Sequence, residues 1–198
     1  MIQLQTHSFI EAHHLTVKKL FHESHPSSDP ELLCESFITL EISQFPEPGD
    51  WLRDKSVLEE ATKHLHPTDK IAERIRDHYS ERMTDQKIHD VIQLLKRRPY
   101  SKKAVIQVWE DGDLDRERNS ACIMYIWFRR NENALNCHTH IRASDVFKKL
   151  LANLLIVSRI HIDIAKQLGL EVGIMRFVSD CGHLYKEDLG AIETFLNQ

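Results

Sequence analysis

The sequence has no C-x-x-C pair, no internal repeat, no low-complexity tract and no apolar run of bilayer length, and each absence removes a class of protein. Its four cysteines, Cys34, Cys122, Cys137 and Cys181, are widely spaced. A zinc ribbon or thioredoxin-type motif therefore has no support, and reduced thiols in a cytoplasm are the simplest reading. The most apolar stretch, Leu150 to Val157, is interrupted by Asn153 and closed by Ser158-Arg159. It falls well short of the roughly 20 residues that span a bilayer, so no membrane protein is expected. Met1 to His7 lacks a basic region followed by an apolar run and does not read as a secretory signal. With only 6 Gly and 6 Pro, disordered and collagen-like chains are excluded. Neither charge dominates: 26 Lys+Arg stand against 30 Asp+Glu, a formal charge of −4, which argues against a dedicated nucleic-acid or anionic-membrane binder. The 13 His soften that figure. Half-protonating them near pH 6.5 would add roughly six positive charges and reverse the sign.

What remains is 198 residues, 41% hydrophobic and 28% charged, enough for one domain over 1–198 with a sizeable core. The loop His25 to Pro30 joins two elements of that domain. Leu33 to Ile42 mixes β-branched and aromatic residues in partial alternation and predicts a strand, ended by Phe45-Pro46-Glu47-Pro48-Gly49-Asp50. Charge density with scattered apolar positions predicts helices over Trp51 to Leu65 and Asp69 to Arg82. Asp85 to Arg97 reads as an amphipathic helix with Ile88, Val91, Ile92, Leu94 and Leu95 as its apolar stripe, stopped by Arg98-Pro99-Tyr100. Ala104 to Trp109 reads as a strand. Cys122 to Phe128 is a nearly continuous apolar strand, as expected when both sheet faces are covered. Arg129 to Asn133 turns it into a hairpin with Ala134 to Ile141. A long helix from about Asp145 to Leu168 stops near Gly169, and a last strand covers Gly173 to Val178. Interspersed helices and strands predict an α/β or α+β class.

Arg142-Ala143-Ser144-Asp145 stands between a predicted strand and a long apolar helix that carries Asn153, with Gly173 and His183-Leu184-Tyr185 beyond. Cys122 opens the strand twenty residues before Arg142. This order resembles the nucleotide-binding core of the thymidylate synthase family: a reactive Cys, Arg-Ser-x-Asp, an Asn in the next helix, then His-x-Tyr. The preceding segment, from Asp85-Gln86 through Leu94-Leu95-Lys96 and Pro99 to Ser101-Lys102-Lys103 and Trp109, resembles the family's helix and Ser-Arg-Arg strand. The resemblance covers residues 84–185 and implies a thymidylate synthase-like α/β (α+β) fold, a mixed sheet flanked by helices, divergent and C-terminally short. Only 13 residues follow Tyr185, where the family continues into a region that closes over folate.

The chemistry such a set permits follows from its residue types. A thiolate that adds to C6 of a pyrimidine makes C5 nucleophilic, so a one-carbon unit can be attached there. A Cys of pKa about 8.5 is only a few per cent thiolate at neutral pH, so nearby cations are needed. Arg142, Lys102 and Lys103 are the candidates, and the same groups can bind a 5′-phosphate. By resemblance, the Lys102-Lys103 pair reaches into a partner's site, which implies a C2 homodimer with shared active sites. Asn153 offers a donor and an acceptor, suited to O4 and N3–H of uracil, where a carboxylate would suit cytosine. His183 and Tyr185 are placed to hold the sugar hydroxyl, and Asp145 resembles the acid that contacts folate. The resemblance also implies a water-organising Glu, for which Glu59, in Leu58-Glu59-Glu60, is the candidate.

The sequence also departs from the pattern. Ile123 replaces His, Ile141 replaces Gln, Ala143 replaces a phosphate-binding Ser, Lys149 replaces Gly, and Lys102-Lys103 replaces Arg-Arg. No clear counterpart of the Arg-bearing phosphate loop is found near the N-terminus; His25-Pro26-Ser27-Ser28 occupies its place. Structural alternatives stand beside the chemical ones. Cys122 taken alone could be a buried structural thiol, Arg142 and Asp145 an ordinary ion pair at a helix start, and Asn153 a satisfied polar residue. Cys137, His138 and His140 resemble a metal cluster, but neighbours on a strand face opposite ways, so no metal site is expected. The basic run Lys96-Arg97-Arg98 with Lys102-Lys103 is accounted for by a helix end and phosphate binding, without nucleic acid. The leading expectation is a pyrimidine nucleoside monophosphate C5-transferase using 5,10-methylenetetrahydrofolate, by methylation or hydroxymethylation. The alternatives are a nucleotide-modifying enzyme without the usual folate step and a catalytically inactive nucleotide-binding homologue.

Overall fold

Alternation of buried and exposed side chains organises the molecule. In the computed structural model, which describes residues 1–43, 79, 81–115 and 120–197, six strands form one mixed sheet in the order β1-β2-β6-β5-β4-β3. They are β1 (Ile2–Thr6), β2 (Leu32–Ile42), β3 (Val105–Gln107), β4 (Ile123–Asn131), β5 (Ala134–Asp145) and β6 (Glu171–Tyr185). The helices are α1 (Phe9–Glu23), α2 (Asp85–Arg97), α3 (Leu150–Leu168) and α4 (Leu189–Leu196). None among the described residues is long and apolar enough to cross a membrane.

Two parallel pairs, β1 with β2 and β5 with β6, are each joined by a helix, α1 and α3 respectively. Parallel neighbours require such a crossover, whereas the antiparallel β4–β5 pair closes with the short turn at Glu132-Asn133. The helices α1 and α3 pack on one face of the sheet, against Ile38, Leu40, Ile126, Phe128, Leu135, Ile141 and Phe177, each at most 1% exposed.

Local chemistry sets the element ends. Ser8 caps α1 by accepting the Glu11 N–H at 3.1 Å, and Thr84 caps α2 by accepting that of Lys87 at 3.4 Å. Gly169 ends α3 in the left-handed region, φ 67°, with its N–H returned to Lys166 at 3.1 Å. At Gly173 a Cβ would collide with Asn136 Oδ1 and the Leu135 carbonyl, which explains glycine where β6 passes β5.

Helix α2 and the hairpin match the sequence expectation, and β2 begins one residue earlier. The strand expected over Ala104 to Trp109 is shorter. The helix expected from Asp145 begins at Leu150, because Ala143 to Asp145 continue β5 in register with Cys181 to His183. The last strand is longer than Gly173 to Val178 and carries His183 and Tyr185 within it. Strand β4 is covered on one face within the chain, not on both: Ile126 and Phe128 are fully buried while Tyr125 is 40% exposed. The helices expected over Trp51 to Leu65 and Asp69 to Arg82 lie outside the described residues, apart from Tyr79, Glu81 and Arg82. Elements β1, α1 and α4 are additional to the sequence reading.

Candidate functional site

Strand register brings the sequence-selected residues to one end of the sheet. β4 runs antiparallel to β5, so its start, Ile123 opposite Ile141, lies where β5 ends. β6 runs parallel to β5, with Ala143 opposite Cys181 and Asp145 opposite His183. Cys122, Arg142, Asp145, His183 and Tyr185 therefore share this end, and α3 starts from it with Lys148 and Asn153 in or near its first two turns.

The segment that presents Cys122 is held from both sides. The Arg142 backbone N–H donates to the Cys122 carbonyl at 3.0 Å, and Arg142 Nε donates to the Ala121 carbonyl at 3.2 Å. The Arg142 guanidinium lies over the Trp109 ring, 5.3 Å from its centroid. On the other side, the Ile123 N–H donates to the Tyr79 hydroxyl at 3.3 Å. Tyr79 is buried, and burial together with the negative charge of a Cys122 thiolate pushes its phenol well above the usual range, so the hydroxyl keeps its proton.

Three of the four thiols are raised by their surroundings. Burial pushes Cys34 up to about 11 and Cys137 to about 12; at Cys181, burial followed by the adjacent Glu35 carboxylate gives about 11. These three are poor nucleophiles near neutral pH. All four thiols are free; Cys122 and Cys181 are half-buried, Cys34 and Cys137 buried.

Asp145 is 4% exposed, and burial lifts its carboxyl above the ordinary range, partly offset by the Lys148 N–H, which donates to Oδ1 at 3.0 Å, and by the Lys148 charge. Lys148 Nζ sits 2.8 Å from Asp188, 3.0 Å from Glu187 and 4.0 Å from Asp145, and 5.0 Å from the centre of the Tyr185 ring. Burial opposes its charge, but Asp188 and Glu187 carry it up to about 12. The rings of His183 and Tyr185 meet edge to face at 5.0 Å, and His183 Nδ1 lies 3.2 Å from the Cys181 carbonyl. Asn153 is 1% exposed, and its Nδ2 has no hydrogen-bond partner among the described residues. An unsatisfied buried amide costs about 1–3 kcal/mol, which a ligand carbonyl would recover.

Lys102 and Lys103 are not brought to this end. They precede β3, whose Val105 pairs with Trp127, and Trp127 Nε1 donates to the Lys102 carbonyl at 3.2 Å, toward the far end of β4. Both side chains are exposed. Glu59 lies outside the described residues. His25 to Ser28 form an exposed or half-exposed loop in which Pro26 bridges Cys34. Cys137 is buried, while His138 packs on Trp127 and His140 pairs with Asp180 on the opposite face. Sequence reasoning missed Tyr79 and Lys148. Tyr79 followed by Arg82 just before the Thr84 cap was the one local sign of an anchored turn.

These features define a mixed-sheet α/β protein in which two crossover units and a hairpin gather a thiol, an arginine, a buried acid, a buried amide and a His-x-Tyr pair at one sheet end. The family model described as thymidylate synthase matches residues 49–198, and the chain belongs to that family. It is 33% identical over 108 residues to the thymidylate synthase of Buchnera aphidicola subsp. Baizongia pistaciae (strain Bp), a match covering 54% of this chain and 40% of that protein. It is 31% identical over 102 residues to the thymidylate synthase of Buchnera aphidicola subsp. Acyrthosiphon pisum (strain Tuc7), covering 52% and 39%. The chain thus spans about two fifths of the length of these curated relatives.

Proposed function

We propose that the chain, acting as one domain, binds a pyrimidine nucleoside monophosphate at this sheet end and uses Cys122 to add to C6 of the ring. The observation that carries the reading is the convergence of Cys122, Arg142, Asp145, His183 and Tyr185 by strand register beside Asn153, whose Nδ2 has no partner among the described residues. Arg142 binds the 5′-phosphate and supports the thiolate; its stacking on Trp109 fixes the guanidinium plane. Asn153 reads the base edge and favours uracil. His183 and Tyr185 hold the sugar hydroxyl.

A folate fits Asp145 in donor and acceptor terms: among the described residues its Oδ2 has only the long 4.0 Å approach of Lys148 and can accept N–H donors of a reduced pterin, while Lys149 offers a cation to the anionic glutamate tail. Methylenetetrahydrofolate, when bound, would supply the one-carbon unit to C5, as methyl or hydroxymethyl. Within this chain, Asp145 orients the carrier and Lys148 holds the Asp145 charge. Lys148 sits closer to Asp188 and Glu187 than to Asp145, which ties this lysine to its own chain, and nucleotide modification without the usual folate step is the second reading.

A second copy completes the proposed site. Lys102 and Lys103 are remote from their own Cys122, and the exposed side of the sheet carries aromatic and charged side chains suited to isologous packing. The resulting homodimer lets each pair of lysines meet the partner's phosphate.

Tritium release from 5-tritiated dUMP, dCMP, UMP and CMP, with and without methylenetetrahydrofolate, tests the reaction. Release from a uracil nucleotide is expected, and dependence on the folate separates the two readings. No release under any condition would sink the enzyme and leave a nucleotide-binding homologue. A 5-fluoro nucleotide should form a stable adduct that Cys122→Ala abolishes, and Arg142→Ala should weaken nucleotide binding about 10- to 100-fold.

A further inference from the structure

We propose that the buried Arg82–Asp113 ion pair is a positioning device for the nucleophile, acting on the Cys122 segment through Tyr79 on one side and Ser120 on the other. The inference rests on Cys122 being the nucleophile. Arg82 and Asp113 are 3% and 2% exposed. Arg82 Nη1 and Nη2 donate to the two Asp113 oxygens at 2.6 and 2.7 Å, a bidentate fork, and Nη1 also donates to the Val108 carbonyl at 3.0 Å. Such a pair is weak evidence of stabilisation, because desolvating two charges offsets most of their attraction. Its geometry is what it contributes.

That geometry links distant parts of the chain to the thiol. The Arg82 and Met83 N–H groups donate to the Tyr79 carbonyl at 3.1 and 2.8 Å, so fixing Arg82 fixes the backbone that carries Tyr79. The Tyr79 hydroxyl then receives the Ile123 N–H, one residue after Cys122. Asp113 is itself set by the Glu110 N–H at 2.9 Å, and its carbonyl accepts the Ser120 hydroxyl at 2.9 Å, two residues before Cys122. Glu110 stands 3.9 Å from Arg82 and from Lys87, and Lys87 Nζ donates to the Arg82 carbonyl at 2.8 Å. Both flanks of the nucleophile are therefore referred to one ion pair, and the guanidinium touches no position proposed for substrate.

Selective thiol labelling tests this. Cys34, Cys137 and Cys181 serve as internal references, since their thiols are pushed to about 11 or above and two of them are buried. Iodoacetamide labelling from pH 6 to 9, read residue by residue by mass spectrometry, is compared in the unmodified chain, Arg82→Lys, Tyr79→Phe and Arg82→Met/Asp113→Leu. The double variant replaces both charges by apolar groups of similar volume and is chosen to remain folded. Loss of the fork should speed labelling of Cys122 at least fivefold, leave Cys34 and Cys137 protected, and slow adduct formation with a 5-fluoro nucleotide at least tenfold. Arg82→Lys should lie between, because one ammonium cannot reproduce the fork together with the Val108 contact. An unchanged Cys122 rate in a folded variant overturns the proposal. Equal acceleration at all thiols also overturns it, since that reports general loosening. If the double variant does not fold, Arg82→Lys and Tyr79→Phe decide by the same criteria. If the unmodified chain forms no fluoro-nucleotide adduct, the proposed reaction fails while the labelling comparison still decides the role of the pair.

Discussion

The two faces of the sheet are built from the same strands, one residue out of step, and they differ in kind. On the helix side, Ile38, Leu40, Ile126, Phe128, Leu135, Ile141 and Phe177 meet α1 and α3 with almost no exposure. On the other side a row crosses four strands: Trp127 opposite His138, His138 opposite Arg176, Arg176 opposite Glu41. A second row places Tyr125 stacked on His140, which is 2.9 Å from Asp180. A solvated face would be plainly polar and a core face plainly apolar. Aromatic residues and arginine with few lysines are instead the composition of an interface centre. Alternation therefore carries two messages in one strand, and the near-continuous apolarity of β4 is their sum.

The largest expected effect is on the closed face. Phe177→Ala should cost about 3–5 kcal/mol, since the fully buried ring leaves a cavity between β6 and the helices. Urea denaturation at neutral pH measures it, and a loss below about 1 kcal/mol would mean that this face repacks freely and the contrast between faces is false.

Acid provides the next test, because the closed face also holds two buried histidines. His13 and His161 are 3% and 0% exposed, with Nε2 directed at the Phe147 and Leu135 carbonyls. Burial lowers each from 6.5 to about 4. Above about pH 6.5 neither folded nor unfolded chain protonates them. Between about 6.5 and 4 the unfolded chain takes up protons that the fold refuses, so stability falls with pH, by up to about 3 kcal/mol per histidine, and levels off below about 4. His13→Gln and His161→Gln should flatten the stability profile in that window. A profile as steep as before would show that these rings are not held neutral by the fold.

These histidines also explain what the sequence made legible. The α2 stripe and the β4–β5 hairpin were readable because apolar periodicity and turn chemistry agree there. Helix α1 was not, because its buried positions Phe9, Ala12, His13, Thr16, Val17 and Leu20 include His13 and Thr16, which interrupt the apolar pattern. The end of β5 reads as a helix start because an acid there, Asp145, precedes a long apolar stretch, and only pairing with β6 reveals it as strand. At the site, the resemblance to the thymidylate synthase family pointed to Cys122, Arg142, Asp145, Asn153, His183 and Tyr185 as candidates. It could not supply Tyr79 or Lys148, whose proximity is created by tertiary contacts.

On the open face, Trp127→Arg should leave the stability of the isolated chain within about 1 kcal/mol. The same change should weaken self-association by about 2 kcal/mol or more, roughly 30-fold, if Trp127 is an anchor of the proposed dimer. Sedimentation velocity from 0.1 to 100 μM, expressed relative to the unmodified chain, separates the two quantities. An unmodified chain that stays monomeric across that range would remove the second copy from this face.

The smallest effect is the most discriminating. Arg176 Nε meets Glu41 at 2.7 Å, with side chains 40% and 25% exposed, so in an isolated chain the pair is screened and worth at most about 1 kcal/mol. Covered by a second copy, it would be desolvated, and removing one partner would strand the other charge at a cost several times larger. Arg176→Met, followed by chemical denaturation at concentrations below and above the association midpoint, should therefore show a negligible loss when dilute and at least a tenfold weaker dimer when concentrated, with Glu41→Gln in the same background restoring part of the loss. Equal, small effects at both concentrations would mean that water never leaves the Arg176–Glu41 pair. The partner would then have to sit elsewhere, and the aromatic rows would need another reason to be exposed.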